Sequence, residues 1–130
     1  MAYTHSVGTV YKTAALTLTN TTDTYTSDGE VNESFAVAAS TTNYEVDIVI
    51  DVSQIKSMVL YSDQAVTIKT NSTGTATDTI VLAAKKQVVW TTDHLESKPL
   101  SGDVTKMYIT NSNSTAANVI VSFLVDYTPA

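Results

Sequence analysis

The clearest pattern along the chain is strict alternation. In "YEVDIVIDV", Tyr44, Val46, Ile48, Ile50 and Val52 fall on one side of an extended backbone, with Glu45, Asp47 and Asp51 on the other. That predicts a strand with one face in a core and one in water. "VNESFAVAA" repeats the pattern with Val31, Phe35 and Val37 inward, and Glu33 on the same face marks where the strand leaves the core. From residue 57, "SMVLY", "AVTIKT", "TIVLAA" and "QVVWTT" follow as short strands. A tight turn at Ser62, Asp63 and Gln64 reads as returning the chain on itself, and "NSTGTATD" reads as a hairpin loop. "VTKMYITN" and "NVIVSFLVDY" flank "SNSTAA" and read as another hairpin, and "TVYKTAALTLTN" adds strand near the start.

Many short strands, regular turns and no βα alternation point to an all-β fold: an antiparallel β-sandwich, jelly-roll-like, with about eight or nine strands. The alternation puts Val89 and Trp90 in its core together with Val46, Ile48, Ile68 and Phe123. Helix is expected only as a turn at "VSQIKS" after Asp51 and another at "DHLESKPL", which Asp93 would cap and Pro99 would stop. Residues 1–130 read as one domain, with 1–8 an N-terminal arm and 128–130 a C-terminal tail, the expected mobile parts.

Composition narrows the function classes. The 130 residues include 23 threonines, no cysteine and no arginine, and the formal net charge is -6. β-branched threonine suits strands. Lysine alone lacks the planar fork that grips phosphate and guanine edges, so nucleic acid is not an expected partner. No stretch reaches the roughly 20 apolar residues of a membrane-spanning helix. "MAYTHSVGTVYKT" has neither a basic leader nor a long apolar run, so no secretory signal is expected there.

His94 beside Asp93, with Glu96 close by, could supply an acid, a base or metal ligands. No H-x-x-x-H or G-x-S-x-G pattern accompanies it, so a surface turn is the better reading and no catalytic residue, metal or cofactor is assigned. "DTYTSDGE" spaces carboxylates, hydroxyls and a glycine as a calcium loop does, but threonine and serine fill its middle slots, which favours a β-turn at Asp28 and Gly29. Sequons at Asn20, Asn32, Asn71 and Asn113 follow from a chain rich in serine and threonine. Trp90 closes the apolar run "VVW" and reads as core rather than as a sugar-stacking platform.

The segment from "YSDQAVTIKTN" through "DTIVLAAKKQVVW" to "DVTKMYITNSNSTAANVIVSFLVD" resembles the small structural proteins that tailed bacteriophages encode beside their major capsid protein. The shared features run over residues 55–127: an "SDQ" turn, a polar loop ending "DTI", a "VW" strand and a "DVT" strand ending "TN". The resemblance implies a non-enzymatic capsid decoration or cement protein. Such a protein would sit on the outer capsid surface of the virion, bind the major capsid protein and form a homo-oligomer, dimer or trimer. The alternative is a glycan-binding β-sandwich module of a tail fibre or cell-surface protein. The contact with a capsid subunit or a neighbouring copy is expected on the arm, at Tyr3, His5 and Val7, whose two rings and one apolar side chain gain nothing from remaining in water.

Overall fold

In the computed structural model the described residues are 2–8, 10–12, 14–15, 17–19, 23–93 and 97–127. Among the described residues twelve strands follow one another: β1 (Tyr3–Val7), β2 (Val10–Lys12), β3 (Thr17–Thr19), β4 (Asp23–Ser27), β5 (Gly29–Val37), β6 (Thr41–Ile50), β7 (Ile55–Ser62), β8 (Val66–Thr70), β9 (Thr79–Leu82), β10 (Lys86–Thr91), β11 (Val104–Asn111) and β12 (Ala117–Val125). One 3₁₀ turn, Val52–Gln54, joins β6 to β7 behind the Asp51 cap, where the sequence places a turn of helix.

The last eight strands make two four-stranded antiparallel sheets. The front sheet has the order β10-β7-β12-β5, and the back sheet β6-β11-β8-β9. Apart from the β8–β9 hairpin, each successive strand from β5 to β12 lies in the opposite sheet. This is the connectivity of a jelly roll, two four-stranded sheets wound so that chain neighbours face each other across the core. All inter-strand pairs are antiparallel, including β12 with β5 (Val125↔Gly29 to Ala117↔Val37) and β11 with β6.

Two expected hairpins are therefore sheet crossings. The turn at Ser62–Gln64 carries the chain from β7 in front to β8 behind, and "SNSTAA" carries it from β11 to β12. Alternation reports which side chains meet the core, and both sheets share one core, so the pattern cannot say which sheet a strand joins. The expected β8–β9 hairpin is present, with Val66↔Leu82 and Lys69↔Thr79 at its ends.

The core is built from the inward rows. Val46, Ile48 and Ile50 of β6 meet Met58 and Leu60 of β7, Ile68 of β8, Met107 and Ile109 of β11, and Val121 and Phe123 of β12. Trp90 packs partly buried against this cluster, and so does Val88. Val89, expected in the core, faces outward instead: it pairs with Val59, while Val88 and Trp90 pair with the buried Leu60 and Met58. In "QVVW" three consecutive apolar residues leave the inward set open by one position, and the register against β7 resolves it.

Among the described residues the buried side-chain polar atoms all have hydrogen-bond partners. Asn111 is fully buried at the end of β11, where its amide nitrogen donates to the carbonyl oxygens of Val37 and Ala38 (both 3.2 Å) and Thr115 (2.9 Å). Its Oδ1 accepts from the backbone N–H and the side-chain amide of Asn113. One side chain thus ties together the β5–β6 and β11–β12 connections at one end of the sandwich.

Candidate interaction surface

Residues 3–7 are not a free arm. They form β1, which pairs with β4 from Tyr3↔Ser27 to Val7↔Asp23. Between them in the chain β2 and β3 pair with each other as a separate two-stranded sheet, Val10↔Thr19 to Lys12↔Thr17, nested in chain order inside the β1–β4 hairpin. The 128–130 tail lies outside the described residues.

Three residues show where the hairpin sits. Ser57, Thr91 and Leu124 point away from the core, in one row across the front sheet: Leu124 pairs with Glu30 on one side and Ser57 on the other, and Ser57 pairs with Thr91. Outward residues of a sheet face solvent unless something covers them. These three are 2%, 2% and 0% exposed, and Leu124 is buried without belonging to the central core cluster. The cover is β1 and β4, which pack on β12 and β7. Tyr3, His5, Val7 and Tyr25 form the half-buried face of the hairpin, and Thr4, Ser6, Thr24 and Thr26 the exposed face. Tyr3, His5 and Val7, expected to touch a partner, thus belong to the side that meets the chain's own sheet.

His5 fixes this seat. Its Nε2 lies 2.8 Å from Glu30 Oε2 and its Nδ1 3.0 Å from Ser57 Oγ, so the ring spans the row between β5 and β7. A carboxylate can only accept, so Nε2 carries a proton, and in the neutral ring the Ser57 hydroxyl donates to Nδ1. Glu30 also accepts from the Asn32 amide, and Ser122 Oγ bonds Asn32 Oδ1. Farther along the row the Tyr25 hydroxyl is 2.8 Å from Asp93 Oδ2 and 3.2 Å from Thr91 Oγ1.

Serine, imidazole and carboxylate in line have the composition of a hydrolytic triad. Hydrolysis needs more: a nucleophile open to substrate and donors aimed at a developing oxyanion. Ser57 is 2% exposed beneath the hairpin, so the arrangement acts as a clasp between β1 and the front sheet. Sequence reasoning missed it because its members are 25 and 52 positions apart. His94 and Glu96 lie outside the described residues. Asp28 Oδ1 accepts from the backbone of Tyr127 at 2.8 Å and Glu30 from His5, so both carboxylates at the end of "DTYTSDGE" have protein partners. Among the described residues no three His, Cys, Asp or Glu side chains group as metal ligands.

Beyond the covered row the outward side chains of the front sheet range from half-buried to exposed. The next two rows outward read Asn32, Ser122, Val59, Val89 and then Ser34, Ile120, Tyr61, Gln87. None of the eight carries a charge, and Ile120 is 44% exposed. The outer face of the back sheet is different: Lys106 binds Glu45 at 2.7 Å and Asp47 at 3.0 Å. Those two carboxylates hold its ammonium well above the ordinary lysine range.

The end of the sandwich below the hairpin is a polar loop cluster. Asn71, at φ 69, donates to the carbonyl oxygen of Asp103 (2.7 Å) and to Thr77 Oγ1 (3.0 Å), and its Oδ1 accepts from Thr105 N (2.8 Å). Asp78 accepts from the backbone and hydroxyl of Ser101 at 2.8 and 2.7 Å. These bonds bind the β8–β9 loop to the β10–β11 connection and leave Thr73, Gly74 and Thr75 exposed at its tip. Beside it the Lys98 ammonium stands 5.0 Å from the centre of the Trp90 ring, a cation–π contact. Burial lowers the Lys98 pKa, partly offset by the charge of Asp51.

No protein-family model matches the chain, and no curated protein matches it. Among solved structures it is similar to one described as "Bacillus endospore appendages form a novel family of disulfide-linked pili". The identity is 16%, over 77% of this chain and 87% of that one, with a TM-score of 0.42. The present chain contains no cysteine.

Proposed function

We propose that the protein is a non-enzymatic virion structural protein, a capsid decoration protein that binds the outer surface of the major capsid protein lattice and stabilises the head. The resemblance over residues 55–127 supplies the class. The observation that carries the reading further is the prebuilt loop cluster, in which Asn71 and Asp78 hold an exposed polar tip in one shape before any partner arrives. A loop ordered in advance loses little conformational freedom on binding. Many weak copies of such a contact across a lattice add to firm occupancy, and a domain that binds only the assembled shell stabilises it by mass action.

The test is addition of the purified protein to phage heads that lack it, with occupancy and heat-triggered release of DNA as readouts. Asn71→Ala with Asp78→Ala frees the loop tip while leaving the inward rows of both sheets intact. It should lower occupancy at least tenfold, about 1.4 kcal/mol per site. Failure of the unmodified protein to bind any head, together with its absence from purified virions, would refute the reading.

A further inference from the structure

We propose that the outer edge of β10 is a self-association site, at which β10 of a second copy pairs antiparallel about a two-fold axis at Val88. The two front sheets then join into one eight-stranded sheet. The inference is independent of whether the protein decorates a capsid, because it rests on the edges of the sandwich.

An edge strand turns backbone N–H and C=O groups toward a place where no ladder partner stands, and folded domains protect such edges with charge, bulges or shortness. The two four-stranded sheets have four edges, β10 and β5 in front and β6 and β9 behind. Three of them are protected. On β5, Glu33 lies on the core-facing side between Val31 and Phe35, opposite the buried Val121, so a strand laid beside β5 would enclose its carboxylate. β6 carries Glu45 and Asp47, holds Asn43 at φ 54 and shifts register twice against β11. β9 has only four residues.

β10 lacks each of these devices. Its six residues hold one charge, Lys86 at the first position, with no proline and no left-handed backbone. The ladder fixes which groups point to the edge. Thr92 N–H donates to the Lys56 carbonyl at 3.1 Å, in the same register that pairs Trp90 with Met58 and Val88 with Leu60. Residues of an antiparallel strand bond alternately to one side and the other. Lys86, Val88 and Trp90 therefore bond β7, and Gln87 and Val89 turn their N–H and C=O groups to the edge. Among the described residues no strand lies beyond them.

A two-fold axis at Val88 sets Gln87 of one copy against Val89 of the other, and the reverse. Four backbone hydrogen bonds close, with Val88 against Val88 at the centre, and an isologous contact of this kind stops at two copies. The pairing also parts the lysines. Lys86 of each copy falls at the opposite end of the paired segment, four residues or about 13 Å from its counterpart, beyond the screening length of about 8 Å at physiological salt. Each chain has a net charge of -6, yet no carboxylate occurs from Thr79 to Thr92. The uncharged outward rows continue across the axis, Val59 and Val89 of one copy leading to Gln87 and Tyr61 of the other, and depletion of charge is the mark of an interface core.

Sedimentation from about 10 µM to about 1 mM spans weak to moderate dissociation constants, and the unmodified protein should pass from monomer to dimer within it. Over the same range amide exchange should slow at Gln87 and Val89, with Val88 protected at every concentration. Gln87→Glu with Val89→Glu sets like charges opposite each other across the axis and should weaken the dimer at least tenfold. Gln87→Lys with Val89→Glu sets opposite charges there and should restore it. Both positions face outward from the front sheet, so each variant should keep the melting temperature of the unmodified monomer. A strictly monomeric unmodified protein overturns the proposal, and so does a dimer whose Gln87 and Val89 amides exchange as fast as those of the monomer. Association that survives the two glutamates overturns the site, and failure of the lysine and glutamate pair to restore it overturns the axis at Val88.

Discussion

The ring of Tyr127 lies across Gly29, where a β-carbon would stand 2.2 Å from Cε2 of the ring and 2.7 Å from Cγ2 of Val125. Gly29 is needed for this close approach, since its φ is not in the left-handed region. Tyr127 is 55% exposed and can swing away, but Val125 is fixed in the core. Gly29→Ala should therefore cost about 1 to 3 kcal/mol, the range for overpacking a filled site. Adding Tyr127→Ala should recover only part of the loss in a denaturant titration.

Leu124 tests the seat of the hairpin separately from the sandwich. Truncating a fully buried leucine costs about 2 to 5 kcal/mol, but the neighbours of Leu124 outside the sheet are β1 and β4. In Leu124→Ala, amide exchange should quicken at Tyr3–Val7 and Asp23–Ser27 more than at Met107 or Ile109. Phe123→Ala, one residue away and facing the other way, should lower protection throughout. Equal loss in both variants would contradict the layered arrangement.

Asn111→Leu should be among the most destabilising substitutions outside the apolar core. It strands the carbonyl oxygens of Val37, Ala38 and Thr115, and one buried polar group left without a partner costs about 1 to 3 kcal/mol. Asn111→Asp should not rescue, because a carboxylate cannot donate to three carbonyls. Chemical denaturation of both variants measures the difference.

Asp51 gives stability a dependence on acid. The Ser53 hydroxyl, then the Ser53 backbone N–H, hold its carboxyl below the ordinary aspartate range. A carboxyl whose folded value is depressed contributes stability above its unfolded value and loses it as pH falls through the folded one. The advantage of the native protein over Asp51→Asn should be constant at neutral pH and shrink below the ordinary aspartate range. Asp51 is exposed, so the effect is small. A difference that instead grew as pH fell would reverse the assignment.

How far the sequence discloses this structure depends on the kind of information asked of it. Val46, Ile48 and Ile50 are legible as one face because burial is periodic along a single strand. So is the turn after Asp51, because capping is local. Sheet membership is not local: Ile68 and Leu60 look alike in sequence, yet they sit in opposite sheets because both face one core. The clasp is further still from view. Tyr3, His5 and Val7 alternate with Thr4 and Ser6 as any short strand does, and only the folded chain brings Ser57 and Glu30 to the two nitrogens of the imidazole.

β5, at the start of the sandwich, finds its one ladder partner in β12 at the end, from Gly29↔Val125 to Val37↔Ala117. During synthesis the ribosome delivers β5 long before β12 exists. Loop-closure entropy delays such distant pairings, and topologies dominated by them fold slowly. Until residue 125 emerges, the edge of β5 and the inward face of β7 wait uncovered, open to any other nascent strand. The yield of this protein in a crowded cell therefore turns on what shields those surfaces during translation as well as on the stability of the finished domain.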